Sequence, residues 1–301
     1  MRNDTDTSLV APRTPHREDS GPPASEHPLP RTIIQPSRGW APLNLRELSE
    51  YKGILYFLIW RDIKVRYKQT VIGVAWAVIQ PLMTMGVLAV FFGHLAKVPS
   101  DGVPYPIFAF AGLVPWTFFA YGVTQSATSL ISSGQLISKV YFPRLLVPTA
   151  RVLGGTPDIA LSFLFLLGLC WYYGLRPSPV AMLLVPAFFV LALVTSLAVG
   201  FWLSALSAKY RDIQHAVPFL VQLGLFATPI AYPSSLVPER WRVLYGLNPM
   251  AGVVEGVRWA LLGTDNPLGI AMLISAAAAL TLFFTGAFFF RRMERTFADV
   301  L

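Results

Sequence analysis

Long apolar segments separated by short polar ones run through most of the chain. A helix needs about 20 residues to cross the hydrocarbon core of a membrane. Six segments are long and apolar enough, and they lie near residues 71–93, 105–131, 148–174, 179–206, 213–231 and 267–290. The pattern therefore predicts an all-α integral membrane protein with six transmembrane helices.

Residues 44–68 precede the first span and show a different periodicity. Apolar residues recur at three- and four-residue spacing, which places them on one face of a helix. That face holds Leu45, Leu48, Tyr51, Leu55, Leu58 and Ile59, and the opposite face holds Arg46, Glu47, Glu50 and Lys52. Asn44 and Glu47 have the spacing of a capping box. We expect an N-terminal amphipathic interface helix, too polar to span, on the inner membrane surface.

The segment between the fifth and sixth spans breaks the pattern. Residues 238–262 contain two apolar stretches interrupted at Asn248-Pro249, and the residue before a proline disfavours the helical conformation. Each stretch is too short to cross a membrane. We expect an outer re-entrant helix pair, with Pro238 near the first helical position and Gly263 just past the last.

The first 43 residues are rich in Pro, Ser, Thr and charge and have almost no apolar periodicity. Such a segment cannot bury enough apolar surface to offset the entropy lost on ordering. We expect residues 1–43 to form a disordered cytoplasmic tail ahead of one membrane domain at 44–301. A dispensable extension and a regulatory or partner-binding segment both remain open.

Cations at the ends of the spans predict the orientation, because short loops rich in Lys and Arg stay in the cytoplasm. The loops at 94–104 and 175–178 hold one cation each. The other ends of the spans carry more cations. Arg61, Lys64, Arg66 and Lys68 precede the first span, Lys139 and Arg144 follow the second, Lys209 and Arg211 follow the fourth, and Arg291, Arg292 and Arg295 follow the sixth. Both termini are therefore predicted to be cytoplasmic.

Composition agrees with a membrane protein and narrows the chemistry. Charged residues make up 13% of the chain and mean hydropathy is +0.54, whereas soluble domains carry about 25% charged residues. The net charge of +8 arises from cations beside spans, so we expect no nucleic-acid partner. The single cysteine, Cys170, excludes an intramolecular disulfide.

Catalytic motifs are scarce. The sequence has no glycine-rich Walker loop, so we do not expect this chain to bind ATP. Its four histidines are scattered and do not have the spacing of metal ligands. Asp158 is the one carboxylate within a predicted span, and nearby Arg151 favours a paired structural residue over a functional intramembrane charge. We therefore expect a protein that is not itself an enzyme.

Several segments resemble the membrane subunit of type-2 ABC exporters for polysaccharide and polyol phosphate. The resemblance runs in order from about residue 45 to the C-terminus. The matching segments are WRDIKVRYKQT at 60–70, GVAWAVIQPL at 73–82, GLVPWTFF at 112–119, LISKVYFPR at 136–144, YRDI at 210–213, NPM at 248–250 and RW at 258–259. The resemblance implies a homodimer with a cytoplasmic ABC ATPase bound to each subunit. ATP and Mg would bind only to the ATPase.

The resemblance also implies an export path and a relay from the ATPase. The segment 133–144 resembles a coupling helix, although an inert basic loop is the alternative. The residues implied in ATPase coupling are Lys139, Tyr141, Phe142, Pro143, Arg144, Tyr210, Arg211 and Asp212. The residues implied in the interface helix are Arg61, Asp62, Lys64, Arg66 and Tyr67. The cargo would be a lipid-linked glycan, such as O-antigen, capsule or a teichoic-acid-like polymer, leaving through a bacterial plasma membrane.

Two patterns are candidates for lining the path. Hydroxyl and amide side chains form a stripe along the inner half of the second span, which suits a hydrated path for sugars or hydrogen bonding between helices. The stripe comprises Thr124, Gln125, Ser126, Thr128, Ser129, Ser132 and Ser133. The second pattern is a set of aromatic side chains, whose flat rings could contact the CH faces of sugars or anchor the spans at the membrane interface. These are Trp76, Phe91, Phe92, Trp116, Phe119 and Tyr121.

Three other functions remain open from the sequence. A small-molecule or drug exporter of the same superfamily would share these motifs. A membrane enzyme acting on polyprenyl phosphate would need several acids and cations facing one site. A channel would need no coupling helix. Loss of transport with an inactive ATPase partner would separate an exporter from the last two.

Overall fold

The computed structural model describes residues 49–68, 73–264 and 269–297. These residues form helices joined by short connections, and no strand occurs among them. The predicted tail and the proposed Asn44–Glu47 capping box lie outside the described residues. The prediction of an all-α protein is confirmed for the described part of the chain.

Eleven α-helices are present in the described ranges. In chain order they are α1 Lys52–Lys68, α2 Trp76–Leu88, α3 Tyr105–Ser132, α4 Gly134–Lys139, α5 Leu146–Leu153, α6 Thr156–Tyr172, α7 Pro179–Lys209, α8 Asp212–Ala227, α9 Glu239–Tyr245, α10 Pro249–Leu262 and α11 Ile270–Met293. Short 3₁₀ turns occupy Gly73–Ala75, Ser234–Leu236 and Glu294–Thr296.

Within the described residues, five helical segments are long and apolar enough to cross a membrane. They are Gly73–Leu95, Tyr105–Ser132, Leu146–Tyr172, Pro179–Lys209 and Ile270–Met293. Each overlaps a predicted span, because a long apolar run is the strongest sequence signal for a transmembrane helix. A multi-pass membrane protein is thereby confirmed.

The remaining predicted span, at 213–231, corresponds to α8, which has only 16 residues. A helix of that length rises about 24 Å, less than the roughly 30 Å hydrocarbon core. It ends at Ala227 because Thr228 precedes Pro229 and takes an extended conformation, with φ −102° and ψ 144°. Five candidate spans are thus present among the described residues, and a sixth crossing, by α8, stays a prediction.

Two shorter helices, α9 and α10, occupy the segment predicted to form a re-entrant pair. The side chain of Asn248 caps α10 by accepting a hydrogen bond from the backbone N–H of Met250 at 3.1 Å. Pro249 occupies the first turn, where its missing N–H costs nothing. Gly263 ends α10 in the left-handed conformation, with φ +70°. The location of this pair relative to a membrane stays a prediction.

The longest buried stretch of the core lies on α3. This helix packs against α2, α5, α6, α7, α8 and α10, and most of its side chains between Ile107 and Phe118 are buried. α11 packs along α7 with a close approach at Gly286, where a Cβ atom would lie 2.7 Å from the carbonyl oxygen of Ala198. The first half of α3 thus lies in the core of the bundle, and α11 lies in close contact with α7.

The interface helix α1 packs on the subunit through part of its predicted apolar face. Leu58 is fully buried beside Phe142, Leu146 and Phe290, and Tyr51, Leu55 and Ile59 pack around that cluster. A second set of apolar side chains, Tyr56, Phe57 and Trp60, is exposed. The apolar face predicted from periodicity therefore contacts protein, and an aromatic surface remains outside.

A π-helix forms the last part of the first candidate span. Residues Ala89–Leu95 form a π-helix, and the N–H of Ala96 donates to the carbonyl of Phe91, five residues back, at 2.9 Å. Gly93 lies against the ring of Tyr105, which leaves no room for a Cβ atom. Such wide turns are rare and occur often at functional sites.

Candidate functional site

A cavity of about 370 Å³ lies between α2, α3, α6 and α8. Its wall combines polar and apolar side chains. The polar ones are Gln80, Thr84, Thr117, Tyr121, Thr124, Gln125, Asp158 and Ser162, and the apolar ones are Ala77, Pro81, Leu113, Trp116, Phe118, Ala120, Gly155, Ile159 and Leu225. This mixture distinguishes the cavity from the purely apolar core clusters around it.

Helical periodicity explains how these residues reach one space. On α3, residues 113, 116, 117, 120, 121 and 124 recur every three or four positions and share one face. The same spacing places Ala77, Gln80 and Thr84 on one face of α2. The cavity is therefore bounded by matching faces of neighbouring helices.

The structure brings some of the predicted path residues together at this cavity. Trp116, Tyr121 and Gln125 line it. Phe119 contacts the ring of Trp116, with ring centroids 5.2 Å apart, and packs into the core. Phe92 also packs there, whereas Trp76 and Phe91 are exposed on the first candidate span.

The polar stripe on α3 divides into two parts with different surroundings. Thr124 and Gln125 line the cavity. Ser129 is fully buried and its hydroxyl lies 3.1 Å from that of Ser204 on α7, while Ser126 donates to the carbonyl of Pro148 at 3.4 Å. Ser129 thus makes the hydrogen bond between helices that was the alternative for this stripe, and it lies outside the cavity.

One wall of the cavity is joined to the interface helix through Asp158. Arg66 Nη1 donates to Asp158 Oδ2 at 2.5 Å, and the Tyr67 hydroxyl donates to Asp158 Oδ1. The Arg66 guanidinium also stacks over the ring of Tyr121, 3.9 Å from its centroid. The expected pairing of Asp158 with Arg151 is therefore wrong, because α1 supplies a closer cation.

Arg151 instead faces a second carboxylate from α1. Its Nε lies 3.4 Å from Asp62 Oδ2, and its Nη2 donates to the Ser132 hydroxyl at 3.1 Å. Asp62 is buried, with 7% of its side chain exposed, and its Oδ1 accepts from Arg61 Nη2 at 2.9 Å. Asp62, Arg66 and Tyr67 thus connect α1 to the helix bundle, and Arg61 holds the Asp62 carboxylate from within α1.

Tyr67 keeps its proton at neutral pH. Burial, followed by the hydrogen bond to Asp158 and the charge of that carboxylate, raises the pKa of Tyr67 to about 12. A phenol beside a carboxylate resists ionisation because the resulting anion would be repelled. Its hydroxyl therefore remains a hydrogen-bond donor.

Lys64, the remaining predicted residue of this helix, is exposed.

The predicted coupling segment folds differently from the expected single helix. The helix α4 ends at Lys139, and residues 140–144 are not helical. Tyr141 is 66% exposed, but Phe142 is only 5% exposed and belongs to the cluster around Leu58. The expectation that Phe142 is available to a soluble partner is therefore wrong in this conformation, since its ring is used within the subunit.

Arg144 is also engaged within the subunit. Its Nη1 donates to the backbone carbonyl of Glu294 at 2.9 Å, and its backbone N–H donates to a carboxylate oxygen of Glu294 at 3.1 Å. Pro143 is buried, whereas Lys139 is exposed. The exposed residues of this segment are Gln135, Ser138, Lys139, Val140 and Tyr141.

The second predicted contact is accessible. Tyr210 and Arg211 in the short connection between α7 and α8, and Asp212 at the start of α8, are all exposed. Lys209 Nζ lies 5.1 Å from the centroid of the Tyr210 ring. This corner presents an aromatic ring and charges on one surface, which is typical of an interface anchor. Its role in coupling stays a prediction.

Sequence reasoning identified Arg258 only as part of a motif and missed its position. Its side chain is 3% exposed. Nε donates to the carbonyl of Phe108 at 3.1 Å, Nη2 to that of Ile230 at 2.7 Å, and Nη1 to that of Pro229. The guanidinium stacks over the Phe108 ring, 3.5 Å from its centroid. A cation inside an apolar helix is the signal that indicates such a site.

Comparison with known proteins identifies the family. Residues 54–262 match the family described as ABC-2 type transporter. The chain is 30% identical over 258 residues to an O-antigen export system permease protein RfbA of Myxococcus xanthus, covering 85% of this chain and 98% of that protein.

Two further relatives give the same result at lower identity. An RfbA permease of Klebsiella pneumoniae is 28% identical over 242 residues, 80% of this chain and 92% of that protein. A polysialic acid transport protein KpsM of Escherichia coli is 23% identical over 239 residues, 79% of this chain and 92% of that protein. The chain belongs to the ABC-2 type transporter family.

Proposed function

We propose that this chain is the membrane subunit of an ATP-driven exporter that moves a lipid-linked polysaccharide across a bacterial plasma membrane. The observation that carries the proposal is the cavity wall, where the rings of Trp116 and Tyr121 adjoin the amides of Gln80 and Gln125 and several hydroxyls. Sugars present both apolar CH faces and hydroxyl groups, so they match such a wall. Relatives named for O-antigen export and polysialic acid transport support this cargo class.

The proposed topology has six crossings, with α8 as the fifth. Four large apolar side chains of α8 are exposed, namely Phe219, Leu220, Leu223 and Phe226, as expected of a helix in contact with lipid or another subunit. With only five crossings, the two ends of the chain would lie on opposite sides of the membrane. A cytoplasmic N-terminus would then place Arg291, Arg292 and Arg295 on the outer side. The preference of cations for the cytoplasm therefore favours six crossings and two cytoplasmic termini.

The proposed assembly is a homodimer with one cytoplasmic ABC ATPase bound to each subunit. The first candidate span is largely unburied within the subunit, and it borders the cavity beside α8. A second copy at this side would cover both helices and enclose a path between the subunits. ATP and Mg would bind to the ATPase, whose closure supplies the movement.

Movement would reach the cavity through α1. Exposed Tyr141 and the Tyr210 corner offer contact points for the ATPase, while Phe142 packs in the same cluster as Leu58 of α1. At its other end, α1 holds Asp158 in the cavity wall through Arg66 and Tyr67. A displacement of the 140–144 segment would thus shift α1 and, with it, one side of the cavity.

A deletion strain of the native host tests the function. Export of a lipid-linked polymer predicts that cells without this chain lose surface polysaccharide and accumulate polymer inside, with restoration by the wild-type chain. Restoration should fail when the partner ATPase carries an inactivating substitution in its own nucleotide site. Unchanged surface polysaccharide, together with altered sensitivity to small toxic compounds, would contradict the proposal and favour a drug exporter.

A further inference from the structure

The carboxylate of Asp158 occupies a position built by donors from another helix. Arg66 and Tyr67 are adjacent in α1, and each donates to a different oxygen of that carboxylate. Tyr121 fixes the guanidinium from the far side by stacking. Two hydrogen-bond donors that meet the two oxygens of one anion form a binding position, or seat, for an oxyanion. Here the carboxylate of Asp158, a side chain of the protein, fills it.

The surroundings of this seat carry more positive than negative charge. Arg151 lies close enough to Arg61 and to Arg66 for their charges to repel it, and Arg61 and Arg151 both face Asp62. These arginines face two carboxylates, Asp62 and Asp158, so one positive charge is left over when all are ionised. Asp62 Oδ2 is buried and has no hydrogen-bond partner among the described residues, although Arg151 Nε lies 3.4 Å from it.

The seat is also reachable from the cavity. Asp158 and Tyr121 form part of the cavity wall, and the side chains of Arg66 and Asp158 are 24% and 29% exposed. Both side chains are therefore partly accessible to solvent. An incoming anion has to displace the partly buried carboxylate of Asp158 from its two donors.

We propose that Arg66 and Tyr67 form a binding site for a phosphate ester at this end of the cavity, with Asp158 occupying the site when the ligand is absent. The inference rests on the proposed function, because a lipid-linked glycan carries its phosphate where the lipid meets the sugar. A phosphate group has more negative charge and more acceptor oxygens than a carboxylate, and a guanidinium binds it with two parallel hydrogen bonds. It therefore competes well with Asp158.

Placement of a phosphate here would orient the cargo. The glycan would extend into the cavity, where Trp116 and Gln125 lie, and the lipid would remain beside the exposed apolar side of the first candidate span. Binding would also release Asp158 from α1, so that loading of cargo changes the contact through which α1 holds the cavity wall. Cargo recognition and coupling then share one pair of side chains.

Binding measurements on the full-length chain test the site. The chain is placed in phosphatidylcholine nanodiscs, and binding of radiolabelled farnesyl diphosphate is measured by scintillation proximity, with unlabelled farnesol as the phosphate-free competitor. The double variant Arg66→Gln/Tyr67→Phe should bind at least about tenfold more weakly, since hydrogen bonds to charged groups are among the strongest. Lys52→Gln, on the same helix and exposed, is the matched control and should bind as the wild type does.

Asp158→Asn separates a ligand site from a structural ion pair. A ligand site predicts tighter binding, because the competing charge is gone while both donors remain, and unchanged binding would contradict it. A structural pair predicts that Asp158→Asn and Arg66→Gln weaken binding alike, and that result would overturn the proposal. If the double variant is not monodisperse, Asp158→Asn decides the question by itself.

A second arm distinguishes cargo phosphate from a phospholipid headgroup. Nanodiscs containing phosphatidylglycerol are analysed by native mass spectrometry for lipid retained on the chain. Loss of retained phosphatidylglycerol in the double variant, with unchanged farnesyl diphosphate binding, assigns the site to a headgroup, and the reverse assigns it to cargo. Wild-type behaviour in both arms means that no phosphate site exists. Neither arm measures transport, so the export assay tests the proposed function independently.

Discussion

Arg258 of α10 and Phe108 of α3 are joined by a hydrogen bond and by stacking, with Nε 3.1 Å from the Phe108 carbonyl and the guanidinium 3.5 Å from the ring centroid. The same guanidinium reaches the carbonyls of Pro229 and Ile230 beyond α8. Gly112 leaves the space that this requires, since a Cβ atom there would lie 2.9 Å from Nη2. One side chain thus fixes three parts of the fold.

Replacing Arg258 with Leu should destabilise the protein strongly. The buried carbonyls would lose their donors, and an unsatisfied buried acceptor costs about 1–3 kcal/mol. We expect a clearly lower midpoint of thermal unfolding in detergent, followed by tryptophan fluorescence. Arg240→Leu, at an exposed position of α9, is the control and should unfold like the wild type. Equal midpoints for the two variants would show that the Arg258 contacts contribute little.

Tyr141 and Phe142 should respond oppositely to truncation. Tyr141→Ala removes an exposed ring and should leave the subunit stable while weakening co-purification of the ATPase, because an aromatic anchor contributes about 2 kcal/mol or more to an interface. Phe142→Ala removes a buried ring and should destabilise the subunit by about 3–5 kcal/mol. Stability is read from thermal unfolding and partner binding from affinity purification.

A control for the Tyr141 prediction is Trp171→Ala. Trp171 is strongly exposed at the end of α6 opposite the coupling segment, so its loss should leave ATPase binding unchanged. If Tyr141→Ala retains the full amount of ATPase, the segment 140–144 does not dock through this residue.

Replacement by Ala should change thermal stability differently at two glycines on apolar helices. At Gly286 the new methyl group would lie 2.7 Å from the Ala198 carbonyl oxygen, which forces α11 away from α7 at a cost of about 1–3 kcal/mol. At Gly168 no atom lies within 4 Å, so Ala should be neutral or stabilising. Thermal unfolding of the two variants in the same detergent checks this, and a lower midpoint for Gly168→Ala would contradict it.

The proposed orientation can be tested with a matched pair of serines. Ser138 follows the second candidate span and Ser178 precedes the fourth, and both are exposed. A membrane-impermeant maleimide should label Ser178→Cys in intact cells and Ser138→Cys only after permeabilisation. The native Cys170 is buried and should contribute little background. Labelling of Ser138→Cys in intact cells would reverse the topology.

Hydropathy predicted the candidate spans well because it depends on local composition. The end of α8 was missed, although Pro229 provides the signal, because the apolar run continues past the proline to Ala231. The caps of α10 followed from Asn248, Pro249 and Gly263, whose backbone preferences are local. Local chemistry thus determined where most helices begin and end.

The contacts of the candidate site could not be read from the sequence in the same way. Asp158 was assigned to Arg151, seven residues away, but its partner Arg66 is separated from it by 92 positions. Phe142 was expected to be available to a partner because its segment resembles a coupling helix, yet it is buried in a cluster with side chains of α1 and α11. Such pairings depend on how helices pack, and a single sequence carries no direct record of that packing.

The wide turn at Ala89–Leu95 has a consequence for chain length. Because each hydrogen bond of a π-helix reaches back five residues instead of four, this turn at the end of the span holds one residue more than an ordinary helical turn. Deleting a residue there would convert the turn to regular helix and shorten the segment by one position. Relatives that differ from this chain by a single insertion or deletion in the first span can therefore keep the same arrangement of the remaining helices.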